Sequence, residues 1–193
     1  MVIDETAIIG ADVSFGRNPR VGPLVVIGVD LPDAGPVVFG DDCIVRSHSV
    51  IYGATTFGDR CAVGHHALIR EETTVGSDVS VGSFTSLGPS VRVGDRVRFH
   101  TNCFVPEESV IEDGAWFGPG VVVTNARYPN RPDTKQNLEG VHVERDAVIG
   151  AAVVLLPGVR IGAGALIGAG AVVTKDVAPG ATVIGNPGRM VAQ

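Results

Sequence analysis

Rings are scarce in this chain. Of its 193 residues only 5% are aromatic, although 45% are hydrophobic, so Val, Ile, Leu and Ala must fill any core. No apolar stretch approaches the roughly 18 residues of a membrane-spanning helix. No basic stripe is present either, and the net charge is −6, which argues against nucleic acid as a partner. The opening MVIDETAIIG has neither a basic region nor a long apolar run. No secretory leader is therefore expected, and the expected compartment is the cytoplasm. The three cysteines, Cys43, Cys61 and Cys103, form no CxxC pair, and an odd number speaks against a disulfide framework. Glycine is abundant at 26 residues, yet no three-residue collagen period accompanies it.

What the sequence does contain is a period of six. Stepping by six from Ile3 reaches Ile9, Phe15, Val21 and Ile27, and continues through Val123 on large apolar residues, with one exception, Asp33. That residue lies in DLPDAGP, which reads as a surface loop. Gly often follows the large residue, and four positions after it the slot is small or β-branched, as at Ala7, Val25, Ser49, Thr73 and Thr85, with Pro19 and Leu31 the departures. All three cysteines occupy that small slot, so they read as reduced core residues. A period of six makes no single stripe on an α-helix, and recurrent Gly and β-branched residues disfavour one. Each hexad is instead a short strand and a corner, three hexads make a triangular coil, and coils stack at about 4.8 Å. The frame breaks after Val123 and resumes at Val143. The inserted stretch, about 126–142, is polar, carries Pro129 and Pro132, and is expected to be an extruded functional loop. The fold class expected is all-β: one β-helix domain over 1–193 with one extruded loop, and its last coils over about 143–191.

At this point the chain resembles the hexapeptide-repeat acyltransferase superfamily. The carrying segments are FGPGVVVTNARYPNRP (117–132), VIGAAVVLLPGVRIGAGALIGAGAVVTKDV (148–177) and VIGNPGRMV (183–191). It looks closest to N-acetyltransferases of nucleotide-linked amino sugars. The resemblance implies a left-handed parallel β-helix, a homotrimer, acetyl-CoA as co-substrate in a groove between subunits near the C-terminal coils, and a small-molecule acceptor under the loop of a neighbouring subunit. It implies no metal, membrane or nucleic-acid partner.

The same resemblance suggests which residues matter. In the sugar and xenobiotic O-acetyltransferases of the superfamily a His precedes a Pro in the extruded loop, whereas this chain reads Arg127-Tyr128-Pro129. An unactivated Tyr is a poor base near neutral pH. A hydroxyl acceptor needs a positioned base, while an amine titrating near 8 is already about one-tenth neutral at pH 7. The departure favours an amine acceptor. Asn102 aligns with the Asn that approaches the amine and the thioester in the amino-sugar branch. His48, His66, Phe84, Asn102 and Gly120 recur every 18 residues and should stack along one edge. The catalytic candidates are Asn102, His66 and His100. The acceptor candidates are His48, Phe84, Asn125, Arg127, Tyr128 and Arg131, with Lys135 adding to a loop that suits a diphosphate. Glu71, Glu72, Glu107 and Glu108 should lie on the edge from which the loop springs. For acetyl-CoA the candidates are Ala151, Gly168 and Ala169 along the pantetheine, Lys175 and Arg189 at the phosphates, and Asn186 near the adenine. Each has a plainer reading as a turn residue, a solvated charge or simple repeat architecture. Three alternatives stay open: an O-acetyltransferase using His100 or His66 as base, a zinc enzyme resembling the carbonic anhydrases of this fold, for which a third His ligand is not evident, and an inactive structural solenoid.

Overall fold

The computed structural model describes residues 2–29 and 35–191. The chain winds as a left-handed parallel β-helix of about ten turns, against the usual right-handed preference of parallel crossovers. Most strands are only two residues long, and they stack into three sheets of eleven, nine and eight strands, here called faces 1, 2 and 3. Register follows the sequence period directly. Leu68 and Ile69 pair in parallel with Ser86 and Leu87 on the next coil, 18 residues on. Coils are numbered below by their strand on face 1: coil 4 begins at Ala62–Val63, coil 5 at Ser80–Val81, coil 6 at Arg98–Phe99 and coil 7 at Trp116–Phe117.

The interior is built as the period requires. The large residues of each hexad, such as Ile69, Leu87 and Phe117, are fully buried, each contributing about 1.5–3 kcal/mol. The small slots hold Ala, Val, Ser, Thr and Cys, and Pro19 is buried in the same way. Hydroxyls there are satisfied by corner carbonyls: Thr73 Oγ1 donates to Gly88 O at 2.9 Å, and Thr85 Oγ1 to His100 O at 2.9 Å. Phe15, Phe39 and Phe57 stack in the core of face 3, with centroids 5.0 and 4.6 Å apart. The cysteines are free and buried. Burial pushes the Cys103 thiol up; in the stacked pair the Cys43 thiol, and then burial, push Cys61 up.

Corners decide what the outside presents. Where face 3 turns into face 1, side chains form a vertical ladder. Asp41 accepts the Arg17 amide at 2.7 Å, Asp59 that of Asp41 at 2.8 Å, Ser77 that of Asp59 at 3.1 Å and Asp95 that of Ser77 at 2.7 Å. The flat faces differ in chemistry. On face 2, from Ile8 through Leu68 and Phe104 to Val172, every outward residue except Ser86 is apolar. Face 3 instead shows Thr56, Thr74, Arg92, His142 and Arg160 to the outside.

Two details differ from the sequence expectation. The extruded loop is not the only long connection. The strand Val26–Ile27 is followed by Val37–Phe39 on the next face, so the connection between these two strands is longer than elsewhere on that corner. Its extra length is one hexad, so stepping by six passes over it without losing phase. Asp33 and Leu31 lie outside the described residues. The main loop also ends earlier than 142. Val141 fills an inward slot at 1% exposure, and His142 begins the strand His142–Val143.

Candidate functional site

Two corners flank the apolar face 2, and the candidate residues divide between them. At the corner between faces 1 and 2 the chain turns through a left-handed residue on every coil from Leu24 to Gly170, and these stack. His48 lies on His66 with centroids 4.5 Å apart, and His66 on Phe84 at 5.0 Å, with planes 16° and 3° from parallel. Asn102 and Gly120 continue the column with φ of 61° and 71°. The expected stacking is therefore present. One plain explanation of Asn102 weakens: the equivalent corner positions hold Leu24, Arg60, Glu72 and Phe84, all at positive φ. The coil imposes this backbone whatever the residue, so tolerance of it does not explain an Asn.

Beyond Asn102 the same corner becomes bare. It reads Gly118-Pro119-Gly120, then Gly150-Ala151-Ala152, then Gly168-Ala169-Gly170. A Cβ added at Gly120 or Gly170 would meet no atom within 4 Å. At those two positions packing does not demand glycine, and the corner carries almost no side chain. Gly168 is different: its Cβ would press on Ile184 Cγ2 at 2.8 Å, so the C-terminal strand accounts for its smallness. His100 sits beside the column and meets Trp116 edge-on at 5.1 Å. Close by, Ser47 Oγ and His65 Nδ1 are 2.8 Å apart, a pairing for which His65 was not singled out in the sequence.

The second corner, between faces 2 and 3, carries the loop. Its neck closes where the Glu139 amide donates to Asn125 O at 2.8 Å. Arg127 donates to Pro157 O at 3.3 Å and reaches Glu139 at 3.5 Å. The Arg131 guanidinium lies over the Tyr128 ring, 4.0 Å from its centroid, a contact that holds both side chains. Thr134 Oγ1 ties the tip together, 2.8 Å from Tyr128 O and 2.7 Å from Arg131 O. These groups enclose a cavity of about 250 Å³ lined by Arg127, Tyr128, Arg131, Asp133, Thr134, Asn137 and Glu139. Glu71, Glu72, Glu107 and Glu108 share this corner as expected. Arg70 pairs with Glu71 at 2.7 Å, which holds the Glu71 carboxyl below its ordinary range.

The catalytic and acceptor candidates are thus not brought together within one chain. Asn102, His66, His100, His48 and Phe84 line one edge of face 2. Asn125, Arg127, Tyr128 and Arg131 rise from the other edge, about 20 Å away for a six-residue side at ~3.3 Å per residue. At the C-terminal end Lys175 and Arg189 do converge, on a cavity of about 360 Å³ shared with Met190 and Val177. Asn186, exposed, precedes Pro187 through a cis peptide bond on the turn leading into the final strand, Arg189–Val191. His142, also not anticipated, belongs to a structural network on face 3: its Nε2 is 2.7 Å from Glu112, its Nδ1 3.2 Å from Arg160, and Arg160 pairs with Glu144. Among the described residues no group of three or more His, Cys, Asp or Glu side chains could hold a metal ion, and no helix is long and apolar enough to cross a membrane.

With this geometry in view, the chain can be set beside known proteins. Residues 140–175 match the family model for the bacterial transferase hexapeptide (six repeats). Over 109 residues, 53% of this chain and 60% of the other, it is 39% identical to Nodulation protein L of Rhizobium meliloti (strain 1021). Over 106 residues, 52% of this chain and 51% of the other, it is 35% identical to galactoside O-acetyltransferase of Lactococcus lactis subsp. lactis (strain IL1403). The chain therefore spans little more than half the length of these curated relatives. The solved Arabidopsis UDP-N-acetylglucosamine acyltransferase shares the fold over 98% of this chain and 73% of its own, with a TM-score of 0.59 and 19% identity.

Proposed function

We propose that this hexapeptide-repeat solenoid is an acetyl-CoA-dependent acetyltransferase that works as a homotrimer on an amino sugar, carried by a nucleotide. The observation that carries the reading is the bare corner of Gly120, Ala151, Ala152, Ala169 and Gly170, in line with Asn102. A slim pantetheine chain fits such a surface, and its thioester would end beside the Asn102 amide. Lys175 and Arg189 converge on one concavity at the same end of the molecule and suit the donor's phosphates. Arg127 and Arg131 suit the diphosphate of the acceptor.

The chemistry needs little else. The neutral amine attacks the thioester carbonyl carbon, the C–N bond forms, the C–S bond breaks, and the coenzyme leaves as thiolate. The proton released from the new ammonium passes to that sulfur. Asn102 is placed to hold the amine and the carbonyl in line, which is a contribution of orientation. The loop position before Pro129 offers no ready base: Tyr128 stands there, with the Arg131 guanidinium over its ring. The two stacked imidazoles His48 and His66 present edges to an acceptor.

Galactoside O-acetyltransferase among the relatives favours one second reading, transfer to a sugar hydroxyl with His100 as general base. A thiol-release assay with acetyl-CoA across amino-sugar nucleotides and matched hydroxyl sugars separates the two. Release with the amines, retained in His100→Ala, is expected. Turnover of hydroxyl acceptors alone, abolished in His100→Ala, establishes the second reading in its place, and no release with any acceptor overturns both.

A further inference from the structure

Two buried thiols stand one above the other on adjacent coils, and we infer that they are a reversible oxidation site: a small peroxide joins Cys43 to Cys61, and a dithiol parts them again. Neither thiol has a part in the acetyl transfer proposed above.

The pair lies at the corner between faces 3 and 1, two residues after Asp41 and Asp59 of the side-chain ladder. Elsewhere in this column the inward slot holds Pro19, Val79, Val97 and Ala115, all buried. Packing there is met by apolar side chains, so the slot does not call for sulfur. Cys43 leads into the strand Ile44–Val45 and Cys61 into Ala62–Val63, and these strands pair in parallel with Ile44 opposite Ala62. The Ile44 amide donates to Cys61 O at 2.8 Å. That register sets the two cysteines on neighbouring storeys, with Cα atoms about 4.8 Å apart. A disulfide spans Cα separations of roughly 4.4–6.8 Å, so the coil spacing already suits one. Cys43 Sγ lies 3.2 Å from Gly58 O, one coil up, and Cys61 Sγ 3.0 Å from Gly76 O, a further coil up. Closing the bridge gives up one of these weak bonds, as Cys61 turns from Gly76 O toward Cys43.

The two thiols also differ in reactivity. The hydrogen bond from Cys61 draws the Cys43 thiol below its ordinary value, against burial and the nearby Asp59 and Asp42, which raise it. The thiolate is the reactive form, so Cys43 reacts first and Cys61 resolves. The Cys43 sulfur attacks one oxygen of hydrogen peroxide, the O–O bond breaks, and water leaves a sulfenic acid behind. The Cys61 sulfur attacks that sulfur, the S–S bond forms, and the sulfenic hydroxyl departs as water with the Cys61 proton. The electron pair lost by the thiols is the one that peroxide gains. Both side chains are 2% exposed, so the oxidant enters when the corner opens locally. Cys103 is the internal control. It fills the equivalent slot at the corner between faces 1 and 2, with Thr85 and Val121 on the coils to either side and no thiol among them.

Peptide mass spectrometry tests this without reference to acetyl transfer. The native protein is treated with hydrogen peroxide, then denatured, alkylated with iodoacetamide and digested. One linked peptide pair joining Cys43 to Cys61 is expected, with Cys103 alkylated and the link removed by dithiothreitol. Far-ultraviolet circular dichroism of the oxidised protein is expected to match that of the reduced one. Cys43→Ala and Cys61→Ala, which place in this slot a residue that the same column carries at Ala115, are each expected to fold and to give no link. A second treatment, with diamide a few degrees below the melting midpoint, removes slow access as the limit. All three cysteines alkylated after both oxidants overturns the site. So does a linked peptide that includes Cys103, or conversion of Cys43 and Cys61 to sulfinic acids with no link between them.

Discussion

The ring of His66 lies flat against that of Phe84, 5.0 Å between centroids and 3° from parallel. Phe84 remains 61% exposed, so the stack stiffens a surface and does not fill a core. An aromatic contact of this kind contributes about 0.5–1.5 kcal/mol. Phe84→Ala should lower the melting temperature by only a few degrees, read by circular dichroism. If the column receives the acceptor, the same variant should raise its KM severalfold with a smaller change in kcat.

Asn102 separates a turn role from a chemical one. At φ 61° a glycine is unstrained, whereas a side chain without local hydrogen bonds costs about 1–2 kcal/mol there. Asn102→Gly should therefore fold at least as well as Asn102→Ala by thermal melting. Acetyl transfer should fall at least tenfold in both. Full activity in the Gly variant would leave Asn102 as a corner residue alone.

Trp116 is the only tryptophan, and His100 stands edge-on to it at 5.1 Å. An imidazole edge against an indole shapes its environment, so His100→Ala should shift the tryptophan emission maximum, read by fluorescence at fixed pH. An unchanged spectrum would mean that the two rings do not meet.

Glu144 accepts the Ala163 amide at 2.8 Å and the Arg160 guanidinium at 2.5 Å. Those two bonds, the amide first, hold its carboxyl below the ordinary value of 4.5. A depressed folded-state value means the contribution is complete above the unfolded value and disappears as pH falls through the folded one. Wild type should melt higher than Glu144→Gln at neutral pH. The gap should narrow as pH falls below the ordinary carboxylate value and vanish once pH passes the lowered folded one. A gap independent of pH would mean the carboxylate charge is irrelevant.

The scaffold was legible because its signal is arithmetical: a large residue every six positions can satisfy only stacked three-sided coils. The same arithmetic hid the extra length between Ile27 and Val37, although DLPDAGP reads as a loop, since an insertion one hexad long keeps every later residue in phase. The loop boundary was misplaced at its end because Val141-His142 is short and follows Gly140, with only burial to show that Val141 already faces inward. The column of His48, His66, Phe84 and Asn102 could be read from its 18-residue spacing. Its distance from Arg127, Tyr128 and Arg131 could not, because nothing in a single chain says which corner a neighbouring copy will meet. Lys175 and Arg189 come together only through the reversal after Pro187, a long-range event that no local pattern announces. Gly168 shows the opposite case, a residue assigned to a ligand whose size the strand above already dictates.

The carboxylate ladder of Asp41, Asp59 and Asp95 is interrupted by Ser77, whose hydroxyl accepts the Asp59 amide at 3.1 Å in the place where an aspartate stands elsewhere. What the rung requires is one oxygen of the right reach on each storey, charged or not. The negative sign has its own work only where a cation stands beside the rung, as Arg17 does at Asp41, 2.6 Å away; elsewhere the spine would tolerate a change of sign.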